Sequence, residues 1–389
     1  MYNDLSGSKK ADINQVKRRY LLLGACALTL SQLAAGCGTK RTLKVRSLKN
    51  SIYPQIVNEF NKLQPSSVLQ IITQTQLEEL FNILQTWKAK TLLNNSGKEP
   101  EKADLVTIGD YWLAKAIEQK LIQPIDTTKL KNWSKLPPAW QTLVRRNDSG
   151  LTDEKGKIWA APYRWGTTVI AYRIDKFKSL GWTPKDWSDL WREELRDRIS
   201  LLDNPREVIG LTLKKLGKSY NIRDLNKVPN LKEELTHLHQ QTKLYSSNAY
   251  LQPLILGDTW AAVAWSGDVL PLMQSQKEIA AIVPISGTSM WVDLWVQPAA
   301  NPKSDVSLAE EWIDFCLQPE IGTQISLFTQ ATSPVILNTN SSELPDLIRN
   351  NQIILPESEI ISKSEFLFPL PDVAINQYRS LWKEIRNIK

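Results

Sequence analysis

Ile158-Trp159-Ala160-Ala161-Pro162-Tyr163-Arg164-Trp165-Gly166-Thr167-Thr168-Val169-Ile170-Ala171-Tyr172 is the stretch on which the fold turns. It is rich in aromatic and β-branched residues, and far longer than the usual strand of about five or six. A strand of that reach is suited to cross from one lobe into another. Upstream, Thr39 to about Leu43 reads as a short polar tether, and Leu43–Leu48 alternates like a strand. Ile52, Ile56, Phe60 and Leu63 then fall at helical spacing, with Pro54 in the first turn. Leu69–Ile72 reads as a second strand, and Leu77, Leu80, Phe81, Leu84 and Trp87 as an amphipathic helix. Ala103–Ile108 is a buried strand, followed by a helix through Ile117. This alternation predicts an α/β protein, with a parallel sheet covered by helices. Downstream, a second α/β stretch runs to about Ile285 and Trp291–Pro298 is a further strand. Ser307-Leu308-Ala309-Glu310 predicts a capping box at a helix start.

At about 100–200 residues per domain, 389 residues suffice for two lobes and a large core. With 42% hydrophobic and 23% charged residues, the chain is neither a disordered tail nor a multi-span membrane protein. Three cysteines, Cys26, Cys37 and Cys316, exclude a disulfide scaffold and a Cys-rich zinc module. Two histidines, His237 and His239, leave little for triads or imidazole-bound metal. No Gly-x-Ser-x-Gly elbow or phosphate loop is present. The outlier is tryptophan, with 15 against 10 Tyr and 7 Phe. Indoles serve as core or as flat, electron-rich surfaces for ligands.

The amino terminus reads as processing. Lys17-Arg18-Arg19 precede an uncharged apolar run from Tyr20 to Leu33, then Ala34-Ala35-Gly36-Cys37. Residues 1–36 are expected to be a signal peptide, too short for a comfortable membrane span. Small residues ahead of a cysteine resemble a bacterial lipoprotein cleavage site, with Cys37 as the lipid-carrying first residue. Its removal leaves 43 basic against 39 acidic residues, so much of the formal +7 is leader. Scattered Lys and Arg on an exported chain argue against nucleic-acid binding.

Trp291-Val292-Asp293-Leu294-Trp295-Val296 is the most informative hexapeptide. Alternation turns Val292, Leu294 and Val296 to one face and Trp291, Asp293 and Trp295 to the other. A carboxylate between indoles is either a cation receptor or a surface strand with Trp packed under a loop. An ammonium gains about 0.5–2 kcal/mol over an indole. It gains about 1.5–3 kcal/mol from a charged hydrogen bond. Asn204-Pro205-Arg206-Glu207 fits a helix start, with Asn204 as N-cap and Glu207 as a capping carboxylate at the third position. Trp265 stands at a strand end before the turn at Gly267. Asp110-Tyr111-Trp112 follows a strand, where open α/β sheets place ligands.

Taken in order, several motifs carry a resemblance: Pro162-Tyr163-Arg164-Trp165-Gly166-Thr167-Thr168, Asp186-Trp187-Ser188-Asp189-Leu190-Trp191, Leu201–Val208 with Gly210, Trp265-Ser266-Gly267, Trp291-x-Asp293 and Phe315–Glu320. From about Leu43 to Tyr378 the chain resembles the spermidine/putrescine-binding components of bacterial ABC uptake systems, among the class II periplasmic binding proteins. The resemblance implies an α/β, two-lobed fold with two crossover strands at the hinge. Lobe 1 would comprise 37–168 plus 292–334, and lobe 2 would comprise 169–291 plus 335–389. It implies a monomeric, cofactor-free binding protein, periplasmic and held to the membrane only through lipidated Cys37. Hinge closure over a polyamine-like cation would present a surface to the ABC permease. Glu207 and Asp293 match acids that grip ammonium groups, and Trp265 and Trp291 match aromatics that sandwich the methylene chain. Tyr111 or Trp112 matches a first-lobe aromatic. Asn204, counted with them as a ligand contact, stands where the family has an Asp, and Leu48, Ser51, Ala331 and about Leu367 replace aromatic or polar positions. Two other readings stay open: the same fold with a sugar or other small solute, and an exported carbohydrate-active enzyme using Asp293 and Glu207 as its acid and base.

Overall fold

β1 (Arg41–Leu48) pairs in parallel with both β2 (Ser67–Gln74) and β3 (Leu105–Gly109). The connections are the helices α1 (Pro54–Leu63) and α2 (Leu77–Leu93), and α3 (Asp110–Glu118) follows β3. Pro54 opens α1, and Ile56 and Phe60, four residues apart, are its buried face. The computed structural model describes residues 40–93, 100–301 and 304–388, so the expected leader and Cys37 lie outside the described residues. All the elements named here belong to one compact unit, Arg41–Lys389. The expected tether is already strand at Arg41, whose guanidinium bonds Asp305 at 2.6 and 2.5 Å.

From Ala161 the long aromatic stretch forms β4 (Ala161–Arg173), buried over nearly all its length, whereas Ile158 belongs to a separate short strand paired with Arg145–Arg146. The second half of the chain adds β5 (Ile199–Leu201), α4 (Pro205–Lys215), β6 (Thr242–Tyr245), β7 (Ala261–Trp265), α5 (Ser266–Ser275) and β8 (Ile279–Ile282). The hexapeptide lies in β9 (Ser289–Pro298), followed by α6 (Val306–Cys316) and α7 (Pro319–Thr329). Among the described residues these strands share one eleven-stranded sheet, with β2-β1-β3-β9-β4-β7-β5-β6 as its main path. Each flank is a parallel trio, β2-β1-β3 and β7-β5-β6. β9 and β4 run antiparallel in the middle and join them.

β4 changes partner in mid-strand. Met290 pairs with Thr167, whereas Trp265 pairs with Thr168. One strand therefore belongs to the first half up to Thr167 and to the second half beyond it. The segment after α7 stays with the first half: Trp165 and Thr332 exchange backbone hydrogen bonds of 2.7 and 2.9 Å, and Asn338 Nδ2 donates to Lys135 O at 3.0 Å. Thr332 Oγ1 donates to Ile354 O, which keeps the chain there past Val335.

Much of the tryptophan excess is core. Trp87, Trp165, Trp187, Trp295 and Trp312 are fully buried. α6 starts differently from expectation. Asp305, not Ser307, is the N-cap, accepting from Leu308 N at 3.0 Å. The carboxylate two residues earlier reaches the free amide first.

Candidate functional site

The β4–β9 register sets three cross-strand rungs on one face of the central pair. Asp293 lies opposite Arg164, and Trp291 opposite Gly166. Beyond them Ser289 Oγ lies 2.9 Å from Thr168 Oγ1. Arg164, Gly166 and Thr168 share a face because strand side chains alternate, and the same holds for Ser289, Trp291 and Asp293.

At one end sits Glu207, carried in on α4. Asn204 Oδ1 caps that helix, accepting from Arg206 N at 2.9 Å and Glu207 N at 3.4 Å. The capping expectation for Asn204 is met, and its side chain is committed to the helix. Glu207 does not complete a capping box but reaches into the rungs. Its Oε2 accepts from Ser289 Oγ at 2.6 Å and Thr168 Oγ1 at 3.2 Å, and its Oε1 from Trp265 Nε1 at 3.4 Å. All three donors are neutral. Among the described residues no cation lies within ion-pair distance of this buried carboxylate. Burial pushes its pKa above the ordinary range, against the pull of the donors from Ser289, Trp265 and Thr168. The adjacent Arg206 turns away, donating to Phe368 O and Asn221 Oδ1, both at 3.0 Å.

At the other end Asp293 is already partnered. Arg164 Nε donates to its Oδ2 at 2.6 Å, and both side chains are nearly inaccessible, at 9% and 2%. A lone strand reads as offering a free carboxylate; the neighbouring strand supplies its counter-charge. Even so, burial raises the Asp293 pKa, with Arg164 opposing. Between the two ends Trp291 lies over Gly166 and Gly267, where a Cβ at Gly267 would meet the indole Cζ2 at 3.2 Å. The Trp291 ring centroid is 5.9 Å from the Arg164 Cζ. Its Nε1 is buried without a hydrogen-bond partner among the described residues.

Trp295, expected beside Asp293 on the same face, is core instead. It stacks on Tyr163 at 4.2 Å and meets Trp312 of α6 at 6.2 Å, so that end of the strand is roofed by a helix. Tyr111 is exposed, and its ring lies 4.9 Å from that of Trp112. Trp112 itself stacks on Phe81 at 4.2 Å. Of the replaced positions, Ser51 and Ala331 are buried.

Asp110 is a buried acid that motif reading placed only by position. It begins α3 and accepts from Val292 N at 3.1 Å, between Trp291 and Asp293. Burial drives its pKa up to about 7, against the Val292 amide and the charge of Arg146. The folded state holds this proton more tightly than the unfolded chain. Its contribution to stability is therefore lost as pH rises from about 4 to about 7. Asp110→Asn keeps the acceptor and removes the charge. We expect it to raise the unfolding free energy at pH 8 by about 2–4 kcal/mol, and so the urea midpoint, and to leave both unchanged near pH 4. Urea unfolding at the two pH values checks this, and equal midpoint shifts would refute it.

The family model described as bacterial extracellular solute-binding protein matches residues 100–364. The chain belongs to this family. The solute-binding protein is 26% identical to the spermidine/putrescine-binding periplasmic protein of Salmonella typhimurium, over 89% of this chain and 92% of that one. It is also 26% identical to the putrescine-binding periplasmic protein PotF of Escherichia coli, over 95% and 97%. Among solved structures, it superposes on the Streptococcus pneumoniae spermidine/putrescine ABC transporter substrate-binding protein PotD with a TM-score of 0.75. That match has 21% identity and covers 89% of this chain and 99% of the other. The likeness shows the fold to be the two-lobed class II periplasmic binding architecture, with β4 and β9 as its crossover strands.

The family is one of solute binders rather than catalysts. Glu207 is anchored at Ser289, four positions along β9 from Asp293. Among the described residues of the solute-binding protein, no helix is long and apolar enough to cross a membrane.

Proposed function

We propose that this chain binds a polyamine-like organic cation in the cleft between its lobes and hands it to an ABC permease. The observation that carries the reading is Glu207: a buried carboxylate held by three neutral donors, with no cation at ion-pair distance among the described residues. Fixing such a group costs desolvation, which an incoming ammonium offsets with a charge-assisted hydrogen bond. Trp291 and Trp265 line the same stripe and suit a cation or its methylene chain. The names of the relatives, spermidine/putrescine-binding and putrescine-binding, support the same class.

In this reading residues 1–36 direct export and Cys37 carries a lipid that tethers a monomer at the periplasmic membrane face. Lobe 1 comprises 37–168 plus 292 to about 355, and lobe 2 comprises 169–291 plus the remainder; the hydrogen bonds of Asn338 and Ile354 support this later return in place of the boundary at 334 that the resemblance implied. A thermal-shift panel of amines and sugars on the chain from residue 37 tests the ligand class. An amine at about 100 times its dissociation constant adds roughly 2.7 kcal/mol of stability. Stabilisation by sugars alone would overturn the amine reading.

A further inference from the structure

The cleft face has two acidic ends and they are not equivalent. Glu207 meets only neutral donors, whereas Asp293 meets a guanidinium. A carboxylate paired with Arg164 presents nearly zero net charge to a second cation, and in a buried setting that difference is large. Arg164 also influences Asp268, the acid whose Oδ2 accepts from Tyr250 O–H at 2.5 Å. The ion pair of Arg164 is with Asp293, and Asp268 feels its charge only from beyond ion-pair distance. Arg164 lies within 5.9 Å of the Trp291 ring as well, so the indole already has a cation beside it. The bond to Asp293 uses Nε, on the side of the guanidinium, rather than the two-pronged end-on geometry.

We infer that Arg164 is a specificity-determining residue: it fills the cation position at Asp293, so the site takes solutes with one ammonium, held at Glu207, and a neutral or hydrogen-bond-accepting far end. This rests on the amine reading and narrows it. A diamine long enough to reach Asp293 brings its second ammonium against a guanidinium. Like charges meet there in a site largely closed to water, and an affinity gain becomes a loss.

Butylamine and putrescine differ by one ammonium, so titration calorimetry with both isolates the effect. For the wild-type chain from residue 37, putrescine is expected to bind no more than about threefold tighter than butylamine. Arg164→Met frees Asp293. It is expected to improve putrescine binding at least about tenfold while butylamine stays within about threefold. Because Arg164→Met leaves a buried acid unpaired, the double variant Arg164→Met/Asp293→Asn provides a second arm. It removes both charges, and should lose the putrescine gain. Wild-type preference for putrescine beyond threefold, or a ratio that Arg164→Met does not move, would overturn the inference and leave the amine reading standing. Absence of heat with either amine, in protein that melts cooperatively, would overturn the amine reading and this inference with it.

Discussion

Glu207→Gln should weaken amine binding by about 2–5 kcal/mol, some thirtyfold to several-thousandfold. Glutamine keeps the length of the side chain and a carbonyl that can still accept from Ser289, Thr168 or Trp265. What it removes is charge, at the end of the proposed site where, among the described residues, no cation lies at ion-pair distance and Arg206 acts only from beyond it. Because burial raises the Glu207 pKa, the wild-type affinity should fall in acid as the carboxyl takes up a proton, whereas the variant should be flat. The ligand-free protein should respond in the opposite sense. A buried carboxyl holds its proton more tightly when folded, so it lowers stability as pH rises through its folded pKa. Glu207→Gln should therefore melt at or above the wild type at pH 8 while binding far less. Calorimetric titration with amines at two pH values, beside thermal melts, gives all three readouts. An unchanged affinity would remove the central support for the amine reading.

The second large effect is steric. A Cβ at Gly166 would collide with Trp291 Cζ2 and Ser266 Oγ, and would sit 2.7 Å from Trp291 Cε2. The indole cannot move aside freely, because Gly267 supports it from the turn into α5. Ser266 is fixed too, since its Oγ accepts from Thr167 N at 3.1 Å. Gly166→Ala should cost about 1–3 kcal/mol of stability as overpacking, and about tenfold or more in affinity, because the displaced ring is the wall of the site. Gly267→Ala meets the same ring at 3.2 and 3.3 Å and should do the same more weakly. Melting temperature and calorimetry check the order. A Gly166→Ala protein indistinguishable from wild type in both would mean that Trp291 is not held as described.

Single-strand reading went far here, and its failures share a cause. Strand and helix order was legible because periods of two and 3.6 survive in the apolar positions of β1 through α3 and of β4. The role of Asn204 was legible because a cap is decided within three residues. What the hexapeptide could not disclose was what lies across from it. Asp293 reads as a free acid in Trp291–Val296, and only the antiparallel register brings Arg164 opposite. Trp295 reads as a twin of Trp291 until α6 and Tyr163 cover it. Arg164 and Thr168 were both in the quoted motif, and Ser289 stood two residues before Trp291. No local pattern marked them, since their partners come from 39 to 129 residues away in the chain.

The change of partner in mid-strand on β4 has an evolutionary corollary. Positions 164, 166 and 168 share the face of the proposed site, whereas Trp165, Thr167 and Val169 alternate with them on the other. Recognition and architecture are thus interleaved residue by residue on one ribbon and assigned to opposite sides of it. If that face holds the solute, a lineage could exchange these three letters and acquire a new cargo while the scaffold stayed as it was.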